Sequence, residues 1–153
     1  MIYRKAVLAD IDELVEIRQE MRLGRDTGTM AVDPAVFRRL TYDYFNKHLS
    51  DDSYISWIAC DEDRIVATSG LCFYYAPPTY RNLSGTTAYI MNVYTRPEYR
   101  KRGIATKLME YIVQEAKCRG CSKITLNASD MGRPLYGKLG FKDVHEAMTL
   151  YIQ

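Results

Sequence analysis

The 153-residue sequence has no apolar run that could cross a bilayer. Its longest, Leu71-Cys72-Phe73-Tyr74-Tyr75-Ala76, falls far short of the roughly 20 residues required. Met1-Ile2-Tyr3-Arg4-Lys5-Ala6 has no long apolar stretch behind it, so no signal peptide is expected. Charge of either sign is barely in excess: twenty-one Lys and Arg against nineteen Asp and Glu leave a formal +2. So weak a field excludes a protein that coats DNA, and any basic patch must be local. Histidine is nearly absent, with only His48 and His145, each read as structural or solvated. The four cysteines are scattered. Cys118-Arg119-Gly120-Cys121 is a lone C-x-x-C without two further ligands at matched spacing, so no zinc site is expected. It also follows a helix rather than opening one, which disfavours thiolate. Scattered thiols of this kind fit a reducing, cytoplasmic setting. Neither G-x-x-x-x-G-K-[ST] nor G-x-G-x-x-G after a strand occurs, so neither a nucleotide P-loop nor a dinucleotide fold is indicated.

What is present is a globular composition, 47% hydrophobic and 26% charged, in a length suited to one domain over residues 1–153. A strand pattern at residues 2–7 leads to Asp10, placed to cap a helix from Ile11 to about Met21. Gly24 and Gly28 punctuate a loop, and Asp33-Pro34 reads as a cap followed by proline at the first helical position. Phe37, Leu40, Tyr44 and His48 then recur at helical spacing, so a second helix runs to about Leu49. Residues 54–60 and 64–75 flank Asp61-Glu62-Asp63 as a hairpin, and a further strand covers residues 88–95. A strongly amphipathic helix follows, apolar at Ile104, Leu108, Met109, Ile112, Val113 and Ala116, and ended by Gly120. A strand at residues 123–128, a short helix around Arg133 to Lys138, and two terminal strands (about residues 141–144 and 147–152) complete the chain. This order predicts an α/β (α+β) arrangement of helices on a mixed sheet.

Two stretches carry chemistry. In Thr95-Arg96-Pro97-Glu98-Tyr99-Arg100-Lys101-Arg102-Gly103-Ile104-Ala105 a strand stops, a basic loop follows, and a glycine opens the long helix. A helix N-terminus leaves amide groups unpaired and carries partial positive charge, so phosphate is its natural ligand. Gly103 permits close approach to the backbone, and Arg100, Lys101 and Arg102 add charge there. Further on, Tyr136 sits on a short helix before Leu139-Gly140-Phe141. Other signals are blander. Glu13, Glu16 and Glu20 share a helix face that reads as solvated, although it suits a cationic substrate. Tyr74, Tyr75 and Tyr80, among thirteen tyrosines, lie beside Pro77-Pro78, where they pack or line an acceptor pocket.

Together the two stretches resemble the GCN5-related N-acetyltransferase superfamily. Its signature [Q/R]-x-x-G-x-[G/A] is matched by Arg100, Gly103 and Ala105, with Thr95-x-Pro97 before it and Leu135-Tyr136-Gly137-Lys138-Leu139-Gly140-Phe141 downstream. The resemblance implies a mostly antiparallel twisted sheet of about six to seven strands with about four helices on its faces. It implies acetyl-CoA as cosubstrate, no metal, and direct transfer of acetyl to a small-molecule or peptide amine within a ternary complex. The backbone of Val93, Tyr94 and Thr95 would hold the pantetheine arm. The amides of Arg100, Lys101, Arg102, Gly103, Ile104 and Ala105, with Thr106, would wrap the pyrophosphate. Tyr136 would protonate the departing thiolate. Two positions depart from the family pattern. Ser129 stands where an asparagine often contacts the cofactor, and Tyr89 stands where some members carry a glutamate base. The base matters because an amine of pKa near 10.4 is neutral in about one molecule in 2,500 at pH 7, a cost of about 4.6 kcal/mol. An acyl-CoA sensor without transfer activity is the alternative. Neither a nucleic-acid nor a membrane partner is expected, and a homodimer is left open.

Overall fold

The structure, a computed structural model, describes residues 1–23, 33–144 and 148–150. Strand β1 (Ile2–Lys5) leads through a 3₁₀ turn at Leu8–Asp10 into helix α1 (Ile11–Leu23), and α2 (Pro34–Ser50) follows. Strands β2 (Tyr54–Asp61), β3 (Arg64–Tyr75) and β4 (Thr86–Thr95) come next, then α3 (Ile104–Cys118), β5 (Lys123–Leu126) and α4 (Arg133–Lys138). The sheet order is β1-β2-β3-β4-β5, antiparallel except where β4 meets β5 in parallel.

The alternating side chains of the strands build a core on each face. On one face Ile11, Leu14, Val15 and Ile17 of α1 and Phe45 of α2 pack on Tyr54, Ile58 and Ile65. On the other, Ile104, Leu108, Met109, Ile112 and Ala116 of α3 cover Ala59, Ala67, Leu71, Ala88 and Ile90. Apart from Val113, which is only half-buried, the α3 stripe is the one its spacing predicts, and Gly120 closes the helix at φ 71°. At the start of α2, Asp33 accepts the Ala35 amide at 2.8 Å, as its sequence position implies.

Several expectations are corrected. Asp10 does not cap α1. Its carboxylate turns back to the Val7 amide at 2.7 Å and pairs with Arg4 at 2.7 Å, which holds Asp10 below the usual carboxylate range. In α2 the buried positions are Thr41 and Phe45, whereas Leu40 and Tyr44 are exposed. Two neighbouring stripes share helical spacing there, and the packing against α1 and β2 selects the second. Five strands are found among the described residues. Residues 141–144 and 148–150 form none, because a strand exists only where a partner supplies its hydrogen bonds. The rest of the second terminal strand, like the Gly24–Gly28 loop, lies outside the described residues. No helix among the described residues is long and apolar enough to cross a membrane.

Gly70 is required for space rather than for backbone freedom. A Cβ there would lie 2.0 Å from the hydroxyl of Tyr54, a fully buried side chain. Gly70→Ala is therefore expected to destabilise the fold by about 1–3 kcal/mol through overpacking. Urea unfolding checks this, and an unchanged midpoint would mean that Tyr54 repacks freely.

Candidate functional site

The parallel ladder between β4 and β5 begins at Thr87↔Lys123 and stops at Ile90↔Leu126, while β4 runs on to Thr95. The two strands part there, leaving the last turns of β4 open on that side. A cleft of about 750 Å³ fills the gap, within the range of small-molecule and cofactor sites. Val93, Tyr94 and Thr95 form one wall. Arg100, Lys101, Gly103, Ile104, Ala105 and Thr106 form the end at the start of α3, and Ser129, Gly132, Leu135 and Tyr136 form the opposite wall.

The loop between β4 and α3 is shaped by backbone and side chain together. Lys101 and Gly103 both adopt left-handed conformations, at φ 60° and 78°. The Gly103 carbonyl accepts the Lys107 amide at 3.1 Å, so the amides of Ile104, Ala105 and Thr106 precede the first intrahelical bond. Arg100 donates from Nε to the Thr95 carbonyl at 3.0 Å and lies over the Tyr94 ring, closing the loop onto its strand. Tyr99 donates its hydroxyl to Asp61 at 2.9 Å, which fixes the 3₁₀ turn Pro97–Tyr99.

Every sequence-predicted site residue except Arg102 lines this cleft. Arg102 turns away, donating to the Glu98 carbonyl at 2.8 Å and covering the Tyr99 ring. Arg96 is buried, donating to the Ile65 carbonyl at 3.1 Å and to Glu20 at 2.6 Å, so the run from Arg96 to Arg102 is not one basic surface. Nor do the three glutamates of α1 form a common face toward a ligand. Glu13 accepts the Ile65 amide at 2.6 Å, and Glu20 is held by Arg96 at the edge of the cleft.

Tyr136 is 8% exposed, its ring edge-on to Phe141 at 6.1 Å. Gly132 makes room for it, since a Cβ there would come within 2.8 Å of the ring. Ser129 accepts the Gly132 amide at its hydroxyl oxygen and, at its carbonyl, the amides of Gly132 and Arg133, so it anchors the start of α4. Sequence reading missed Gly132, whose φ of −84° is ordinary and whose small size alone matters. It also missed Met21 and Met131, which reach the cleft from α1 and from the turn before α4.

Tyr89 stands on β4 opposite Cys72 of β3 and Thr125 of β5. Burial pushes both its phenol and the Cys72 thiol up, so neither is ionised near neutrality. Tyr75 and Tyr80 are 79% and 102% exposed and do not line the cleft. Cys118 is exposed, whereas burial raises the Cys121 thiol, which disfavours its thiolate. Among the described residues no group of His, Cys, Asp and Glu is arranged to hold a metal ion.

An open strand edge running into a basic loop at a helix N-terminus is the geometry of a cleft for an extended, phosphate-bearing ligand. The sequence profile of the acetyltransferase (GNAT) family matches residues 13–141. A predicted acetyltransferase from Clostridium acetobutylicum, solved with acetyl-CoA, is 39% identical. It superposes with a TM-score of 0.89 over 98% of this chain and 95% of its own. A GCN5-related N-acetyltransferase from Ralstonia eutropha JMP134 is 28% identical, with a TM-score of 0.85 over 98% and 97% of the two chains. The bovine thialysine N-epsilon-acetyltransferase is 33% identical over 72 residues, 45% of this chain. The match spans 42% of the length of that relative. The chain belongs to the acetyltransferase (GNAT) family.

Proposed function

We propose that this chain transfers the acetyl group of acetyl-CoA to a primary amine by direct attack within a ternary complex. The observation that carries the reading is the single cleft in which the open edge of β4, the N-terminus of α3 and Tyr136 meet. The residues present suit the cosubstrate. Arg100, Lys101 and the first amides of α3 supply positive potential for a pyrophosphate, and Val93, Met131 and Leu135 supply apolar contact for a pantetheine arm. In the reaction the neutral amine nitrogen bonds to the acyl carbon, the carbon–sulfur bond breaks, and Tyr136 gives its proton to the leaving thiolate; the proton that the nitrogen sheds passes to solvent, from which Tyr136 regains its own. An amide N–H of β4 polarises the thioester carbonyl. No enzyme nucleophile is required. A small-molecule amine is the favoured acceptor, since relatives carry the names thialysine and glucosamine 6-phosphate N-acetyltransferase.

Tyr89, in surroundings that keep it neutral, supports the alternative of an acyl-CoA sensor that transfers nothing. Release of free thiol from acetyl-CoA across a panel of amines separates the two. Amine-dependent thiol is expected, and its absence across the panel with intact acetyl-CoA binding would favour the sensor. Acetyl-CoA affinity is also expected to fall as salt rises, because Arg100 and Lys101 meet the pyrophosphate through solvent. Calorimetry at two ionic strengths measures this, and no binding at low salt would remove the whole reading.

A further inference from the structure

The pairing of β3 with β4 skips a residue exactly where the cleft begins. Gly70 faces Met91 and Thr68 faces Tyr94, so Ser69 alone stands opposite both Asn92 and Val93. This is a bulge in β4, and Asn92 takes a left-handed φ of 54° within it. Thr68, 2% exposed on β3, donates its hydroxyl to the Asn92 carbonyl at 2.6 Å. Among the described residues no peptide bond is cis. In a trans peptide the carbonyl of one residue and the N–H of the next point in opposite directions. Drawing the Asn92 carbonyl toward β3 therefore turns the Val93 N–H away from β3, to the side that β5 has left at Ile90 and where Val93 lines the cleft. The Asn92 side chain is fixed at both ends. Its Nδ2 donates to the Tyr54 hydroxyl at 2.8 Å, and its Oδ1 accepts from Arg18 of α1.

We infer that Thr68 and Asn92 are positioning residues that aim the Val93 N–H at the thioester carbonyl oxygen of the bound cosubstrate. The inference rests on the acetyl-transfer reading above and adds to it the side chains that set the oxyanion donor. Thr68 never meets the ligand. It acts through one peptide plane, and its hydroxyl is the part that matters.

Thr68→Val keeps shape and burial and removes the hydroxyl. Thr68→Ser keeps the hydroxyl. Two readouts are needed: single-turnover acetyl transfer, and isotope-edited infrared spectroscopy of acetyl-CoA labelled at the acyl carbonyl. In the wild type the bound carbonyl is expected to absorb below its frequency in solution, because it accepts a hydrogen bond. In Thr68→Val it should move back toward the solution value, with acetyl-CoA affinity unchanged and the chemical step slower by about tenfold, less than for outright loss of an oxyanion donor. Thr68→Ser should restore both. If Thr68→Val does not fold, Asn92→Gly keeps the left-handed backbone, removes the side-chain anchor, and should give the same carbonyl shift. A wild-type carbonyl frequency and rate in folded Thr68→Val would overturn the inference, as would a wild-type complex that absorbs as free acetyl-CoA does. Failure of the transfer reading looks different: no amine in the panel is acetylated, while the carbonyl shift still reports where the Val93 N–H points.

Discussion

Tyr136→Phe is expected to slow acetyl transfer by about 10²–10⁴-fold, the range that general acid catalysis contributes. The phenylalanine keeps the ring, its edge-on contact with Phe141 and the space that Gly132 leaves for it. What is lost is the phenolic hydroxyl with its proton. The fold and acetyl-CoA affinity should therefore survive, and the loss should fall on the step in which the thiolate leaves. Single-turnover transfer to the best amine of the panel is the proper measurement, because steady-state rates conceal the chemical step wherever product release limits turnover. An unchanged chemical step in the folded variant would retire the acid role and leave Tyr136 as a packing residue.

Gly103→Asp should weaken acetyl-CoA binding by on the order of a hundredfold, as two effects add. At φ 78° the backbone is one that a side chain adopts only with strain, which can distort the loop or unwind the first turn of α3. The carboxylate would stand at a helix N-terminus among Arg100, Lys101 and the amides of Ile104 and Ala105, where it competes with a pyrophosphate for the same donors. No atom lies within 4 Å of the added Cβ, so steric collapse of the core is not expected. Calorimetric titration, with circular dichroism to establish folding, gives the result. Wild-type affinity in a folded variant would show that this loop does not hold the phosphates.

The candidate site was legible in the sequence to the extent that its parts are contiguous. The strand, basic loop, glycine and helix from Val93 to Thr106 follow one another in the chain and need no distant partner to be recognised. The α3 core stripe was legible for the same reason, since a single helix face is written at 3.6-residue spacing and α3 has only one apolar face. In α2 two stripes competed, and only packing on α1 and β2 chose Thr41 and Phe45 over Leu40 and Tyr44.

By itself, the sequence determined the element order from β1 to α4, the cap at Asp33, the basic loop before α3 and the tyrosine before Leu139-Gly140-Phe141. The tertiary structure alone decided where β5 leaves β4, that Asp10 serves Arg4 rather than α1, and that Arg102 faces away from the cleft. It also decided that Asn92, between Thr68, Tyr54 and Arg18, breaks the ladder. Local conformation follows from neighbouring residues through sterics and capping, and so is written along the chain. Ladder ends, bulges and side-chain partners are set by groups far apart in the sequence, and exist only once the sheet has brought them together.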